Sequence, residues 1–180
     1  MSKFVADEPA AYRYHNEPIP GKYEIVPIKP LLNRDHLQPD YAHDVAEKCR
    51  LIQENPEEAY NHTNKSNMCC VISNGTAVLG LGNLGALPSK PVMEGKAVLM
   101  KKFGDVDCID LNIDSKDPDE IIEVIQLLGS PYGGINLEDF KGPDCFYIEN
   151  KLKEIMNIPV FHDDQHGTAI ITLSGVISGL

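Results

Sequence analysis

Two acidic pairs, Glu138-Asp139 and Asp163-Asp164, carry the strongest chemical signal in this 180-residue sequence. The first directly follows the run Gly134–Leu137 and the second follows residues 158–161, and each run reads as a short strand. If the segment between them is a right-handed crossover helix, the two strands lie parallel with their carboxyl ends on one edge of the sheet. Open α/β sheets bind ligands at that edge. Carboxylates converging there repel one another unless a cation sits among them, and an all-oxygen donor set suits Mg²⁺ or Mn²⁺. The competing reading makes each pair a helix cap or a solvated turn, because acids are favourable at helix N-termini. The residues alone leave both readings open.

Other candidates are weaker. Gly80-Leu81-Gly82-Asn83-Leu84-Gly85 has the G-x-G-x-x-G pattern, but Pro88 and Pro91 follow where a dinucleotide-binding helix would open, so a tight turn or close backbone approach is expected instead. His162 and His166 have helical ligand spacing without a third His or Cys nearby, which argues against zinc. Asp105, Asp107 and Asp110 lack the glycine and glutamate of a calcium loop. Lys96 stands just before an apolar stretch; desolvation there would depress its pKa and make it a usable proton acceptor, although most lysines at strand starts are solvated.

The elements that must position these residues fall into two halves. Residues 1–33 hold Pro9, Pro18, Pro20, Pro27 and Pro30, too closely spaced for a helix or a central strand, and read as an extended arm. Val45, Cys49 and Ile52 predict a helix over about residues 40–60, broken by Pro56. Strands are expected at 68–72, 76–81, 97–103 and 107–113, with Asn74-Gly75 as a hairpin turn. Asp117-Pro118-Asp119-Glu120 starts a helix whose buried face is Ile121, Ile122, Val124, Ile125 and Leu128, with Gly129 ending it in left-handed geometry. A strand at Gly134–Leu137, a helix from about 143 to 156, a strand at 158–161 and an apolar helix from about 167 complete a βαβα series. The fold class is therefore α/β, with a mostly parallel sheet flanked by helices and an N-terminal arm.

Composition sets the outer limits. A formal net charge of −11 argues against nucleic acid or an anionic membrane surface as partner. No apolar run reaches the roughly 18 residues of a bilayer span, and the N-terminal residues have no hydrophobic signal region. Five cysteines without C-x-x-C spacing predict free thiols in a reducing, cytoplasmic setting, with Cys69 and Cys70 as small buried hydrophobes.

The blocks SNGTAVLGLGNLGALPSKPVMEGKAVLMKKF, GGINLEDFKGPDCFYIENKL and IPVFHDDQHGTAIITLSGVISGL resemble the N-terminal half of malic enzymes of the compact bacterial type, over about residues 20–180. The resemblance implies an arm at 1–33, a substrate- and metal-binding malic-enzyme domain at 34–180, and a nicotinamide-binding Rossmann domain not contained in these residues. It further implies oxidative decarboxylation of L-malate to pyruvate and CO₂, with oxaloacetate as intermediate, NAD or NADP as oxidant and Mg²⁺ or Mn²⁺ as metal. By the same resemblance Glu138, Asp139 and Asp164 are the metal ligands and Asp163 lies near the substrate. Lys96 is the base for the malate hydroxyl, and Tyr41 is the acid that protonates the enolpyruvate carbon. A homodimer is implied, in which this tyrosine can be supplied across the interface. Here Tyr41-Ala42-His43-Asp44-Val45 stands where the family usually reads Tyr-Thr-Pro-Gly-Val, removing a turn near the substrate. These 180 residues alone are expected not to turn over malate. The alternatives are a non-catalytic binding domain derived from the family and a metal-dependent oxaloacetate decarboxylase.

Overall fold

The computed structural model describes residues 8–36, 41 and 45–179. Its centre is a four-stranded sheet of β1 (Met68–Ser73), β2 (Asp107–Asn112), β3 (Gly134–Leu137) and β4 (Val160–His162), in the order β2-β1-β3-β4. All three pairings are parallel. Between the strands run α4 (Ala86–Gly104), α5 (Pro118–Leu128) and α6 (Asp144–Ile155), and α7 (Thr168–Ser178) follows β4. Upstream lie α1 (Glu8–Asn16), α2 (Val45–Glu54) and the single turn α3 (Ala59–His62).

Alternation along the strands divides the sheet into two faces. Cys70, Ile72, Ile135, Leu137 and Val160 form one core with Ile121 and Ile125 of α5 and Ile148 and Leu152 of α6. Ile125 has no exposed surface, so trimming it to Ala costs about 2–5 kcal/mol. The opposite face carries α4, whose Met93 and Ala97 are buried. There Asp110 of β2 accepts from Lys90 Nζ (2.9 and 3.0 Å) and from Tyr23 Oη (2.7 Å), tying arm, helix and sheet together.

The second half matches the expected βαβα series, with β3 and β4 side by side. Asp117 Oδ1 caps α5 by accepting the Asp119 N–H at 2.9 Å. Two details differ. Val124 and Leu128 are exposed, because only Ile121 and Ile125 face the sheet squarely. Gly129 has φ −72° rather than left-handed geometry; its missing side chain makes room for the Met156 methyl.

The first half departs further. The proline-rich arm contains α1, with Pro9 in the first turn, where its missing N–H has no helical acceptor to lose. The 40–60 helix is two pieces, separated at Asn55-Pro56 by a 3₁₀ turn that Asn55 Oδ1 caps. Val45 and Ile52 are half-buried and Cys49 is exposed; Asp40 and residues 42–44 of the predicted helix fall outside the described residues. No strand or hairpin occupies 76–81. Both edges of β1 are already taken by β2 and β3, and Asn74-Gly75 instead opens a loop closed by the Val78–Gly82 bridge. Residues 97–103 belong to α4, not to a strand. Pro88 falls in the first turn of that helix and Pro91 removes one ladder bond, which nineteen residues of helix packed on the sheet withstand. The glycine motif thus does precede a helix, but six residues separate the end of β1 from Gly80, so it is not a fingerprint turn directly after a strand. No described helix is long and apolar enough to cross a membrane.

Candidate metal centre and active site

The strand order reverses direction between β1 and β3, and the site lies at the carboxyl edge beside this switch point. Glu138 and Asp139 leave the end of β3. The Glu138 N–H donates to the Ile72 carbonyl (2.9 Å), which extends the β1–β3 pairing by one residue. Asp139 then turns the chain with φ +57°, a left-handed conformation that Asp tolerates better than most residues. Its carbonyl accepts the Ala77 N–H (2.9 Å), so the 74–85 loop braces the turn. Gly75 (φ +64°) is required there, because a Cβ would overlap the Gly85 carbonyl.

Asp163 and Asp164 leave the end of β4 in a single π-helical turn, Asp163–Gly167, that runs into α7. Asp164 Oδ2 accepts the Asp139 N–H at 2.9 Å, locking the two acidic turns together. Carboxylate oxygens of Glu138, Asp139 and Asp164 lie within 4.8 Å of one another, close enough to share one cation. Hard oxygen donors in this number fit Mg²⁺ or Mn²⁺. Burial pushes the Glu138 carboxyl up to about 7, and the Asn136 and Lys96 donors only partly offset it. Burial and then the Asp164 charge raise Asp139 to about 6. Two buried acids held beside a third carboxylate are costly unless a proton or a cation joins them.

Lys96 reaches this cluster from the middle of α4, not from a strand start. Its Nζ lies 3.0 Å from Glu138 Oε1 and 2.5 Å from Asp163 Oδ2. Burial works against the ammonium, yet the hydrogen bond to Asp163 and the charge of Glu138 hold its pKa above the ordinary value. The depressed pKa expected from the sequence is overturned, because desolvation comes together with two anions. Lys96 and Asp163 also border a cavity of about 480 Å³ with Leu99, Met100, Asn136 and Phe161.

The structure thus gathers Glu138, Asp139, Asp163, Asp164 and Lys96. Tyr41 is not among them: it is 86% exposed, and its neighbours Ala42, His43 and Asp44 lie outside the described residues.

Sequence reasoning missed the supports. Glu149 of α6, 1% exposed, accepts from the His162 N–H (3.1 Å) and from Lys153 Nζ (2.7 Å), and pairs with His166 Nε2 (2.8 Å). One carboxylate therefore pins the acidic turn at both ends. Its signal was legible as a charged residue inside the buried stripe Cys145, Ile148 and Leu152. His162, also 1% exposed, has both ring nitrogens unpartnered, with Nδ1 3.8 Å from Asp164 Oδ2, and burial lowers its pKa.

A doubly wound parallel sheet with a carboxylate cluster and a lysine at its switch point defines an α/β domain with a candidate cation site. The chain belongs to the malic enzyme N-terminal domain family, whose profile matches residues 20–153. It is 55% identical over 171 residues to the NADP-dependent malic enzyme of Escherichia coli, covering 95% of this chain and 22% of that protein. It is likewise 55% identical over 167 residues to an NAD-dependent malic enzyme of Rhizobium meliloti, covering 93% and 22%. Among solved structures, malic enzyme from Pyrococcus horikoshii superposes with a TM-score of 0.91 at 44% identity, over 94% of this chain and 40% of that one. The NAD-dependent malic enzyme of Thermotoga maritima gives 0.89 at 39%, over 97% and 48%. The chain therefore spans about a fifth to a half of the length of these relatives.

Proposed function

We propose that these residues form the malate- and metal-binding part of a malic enzyme, a metal-dependent oxidative decarboxylase that converts L-malate to pyruvate and CO₂ with NAD or NADP. The observation that carries this reading is Lys96 Nζ lying between Glu138 and Asp163 at the rim of the three-carboxylate cluster. Relatives named for either cofactor match this chain, so the nicotinamide preference is not assigned, and its binding is attributed to residues outside these 180.

Glu138, Asp139 and Asp164 would hold the divalent ion. When bound, Mg²⁺ or Mn²⁺ supplies a Lewis acid for the C1 carboxylate and C2 oxygen of malate. Lys96 would take the proton of the C2 hydroxyl, and the nicotinamide, when bound, would supply the hydride acceptor. To do so it must first be neutral, and substrate seated between Lys96 and Asp163 separates that ion pair, removing one of the two anions that keep the amine protonated. Asp163, free of the ligand set, orients the substrate. Loss of CO₂ from the resulting 2-oxo acid leaves an enolate, which Tyr41 protonates at carbon. Tyr41's exposure in the single chain supports its serving the site of a second copy, in a cytoplasmic homodimer.

The test is Mn²⁺ binding to this chain followed by EPR, with and without oxalate. Binding that oxalate tightens, and that Asp164→Ala abolishes, is expected. Lys96→Ala should leave Mn²⁺ bound, because the lysine is no ligand. Binding that Asp164→Ala leaves unchanged would sink the ligand assignment.

A further inference from the structure

Cys69 of β1 and Cys108 of β2 are register partners on neighbouring parallel strands. Register partners in a parallel pair project to the same face, and neighbouring strands run about 4.7–4.9 Å apart, within the Cα separation that a disulfide spans. Both residues are half-buried, whereas Cys70 and Cys145 are buried and Cys49 is exposed elsewhere, on α2. The face is the one that α4 covers: Cys108 Sγ lies 3.6 Å from Met100 Sδ. Cys108 also lines a cavity of about 470 Å³, walled by Tyr23, Ile25 and Ile28 of the arm and by Ala97 and Lys101 of α4, through which a small solute reaches the sulfur.

We propose that Cys69 and Cys108 are a redox-sensitive thiol pair that a peroxide closes, reversibly, to an intramolecular disulfide. Register and cavity carry the pairing, and either thiolate can open the reaction. The thiolate of one cysteine attacks one oxygen of the peroxide; an S–O bond forms, the O–O bond breaks, and hydroxide leaves with the other oxygen. The sulfur of the second cysteine then attacks the oxidised sulfur, the S–S bond forms and the S–O bond breaks. The proton of the second cysteine leaves with that oxygen as water, and the hydroxide takes up the proton that the first had released. With hydrogen peroxide, two thiols are oxidised by two electrons in total and one peroxide is reduced to two waters. Closure draws the Cys108 sulfur away from Met100, one helical turn from Lys96.

The experiment treats the folded chain with one equivalent of hydrogen peroxide, blocks remaining thiols under denaturing conditions and maps peptides by mass spectrometry. Expected is a loss of two hydrogens from the intact mass and a linked pair of peptides containing Cys69 and Cys108, both reversed by dithiothreitol. Cys70→Ser should keep the link, and Cys69→Ser and Cys108→Ser should each lose it. The same oxidant on the chain unfolded in guanidinium should scatter the linkages among the five cysteines. Oxidation confined to Cys49, disulfides between chains, or a 69–108 link no more frequent in the folded than in the unfolded chain would each overturn the proposal. The wild-type map decides the matter even where a variant fails to fold.

Discussion

Glu138 and Asp139 bind protons more tightly in the folded chain than an unfolded chain does, since burial raises them to about 7 and about 6. Such groups contribute stability that is full below the unfolded value, near 4, and is lost as pH rises through the folded one. His162 runs the other way: its depressed pKa gives stability that is present above about 6.5 and lost as pH falls. The difference between variants isolates the acids. In EDTA, Glu138→Gln should flatten the decline in melting temperature from about pH 5 to about pH 7.5, relative to the unaltered chain. A parallel shift with no change of slope would mean that Glu138 is an ordinary acid. Divalent-ion affinity should fall below about pH 7, because protons must leave before these oxygens ligate. Competition titrations at pH 6 and 7.5 measure this. At this scale the sequence was most legible: which acids converge followed from their placement after two strands. That Lys96 sits between two of them, and that Tyr41 does not join them in one chain, depends on long-range packing that local spacing does not encode.

Two elements decide whether the acids stay in place. Glu149 holds the acidic turn from α6, and its carboxyl is kept low: burial opposes this, but the Lys153, His162 and His166 donors outweigh it. Glu149→Leu strands the His162 N–H and releases His166, and should cost about 1–3 kcal/mol. It should also weaken Mn²⁺ binding, whereas Glu149→Gln, which keeps an acceptor, should lose less of both; calorimetry and EPR read the two effects. Gly75→Ala forces a Cβ toward the Gly85 carbonyl at φ +64° and should lower the melting temperature by several degrees. Helix α4 shows where sequence patterning fails. Residues 97–103, AVLMKKF, satisfy either period. Only Met93 and Ala97 lying together against the sheet select the helix, at the expense of the ladder bond that Pro91 removes. Asn74-Gly75 signalled a turn correctly, but a dipeptide does not say what the turn connects. In the second half the caps and stripes are local, and α5, β3 and α6 fall where they were expected.

Across the whole molecule, apolar surface is distributed unevenly. The core lies under α5 and α6, while Ile25, Ile28, Leu31 and Leu32 of the arm and Ile170, Ile171, Leu173 and Ile177 of α7 are exposed. A homodimer that draws on the arm should sediment at twice the chain mass, and Ile28→Asp combined with Leu32→Asp should shift it toward monomer. A sedimentation profile indifferent to both substitutions would remove the arm from the interface. The centre itself joins residues far apart in sequence: Lys96 and Asp163 are separated by 67 positions, and Asp139 and Asp164 by 25. Closing such loops costs chain entropy before any contact is gained, so pairings of this span form late and slowly. No segment of the chain carries the complete cluster. The rate at which refolding chains acquire the capacity to capture a divalent ion should therefore follow the final, global phase of folding, which makes the ion a clock for the completed sheet.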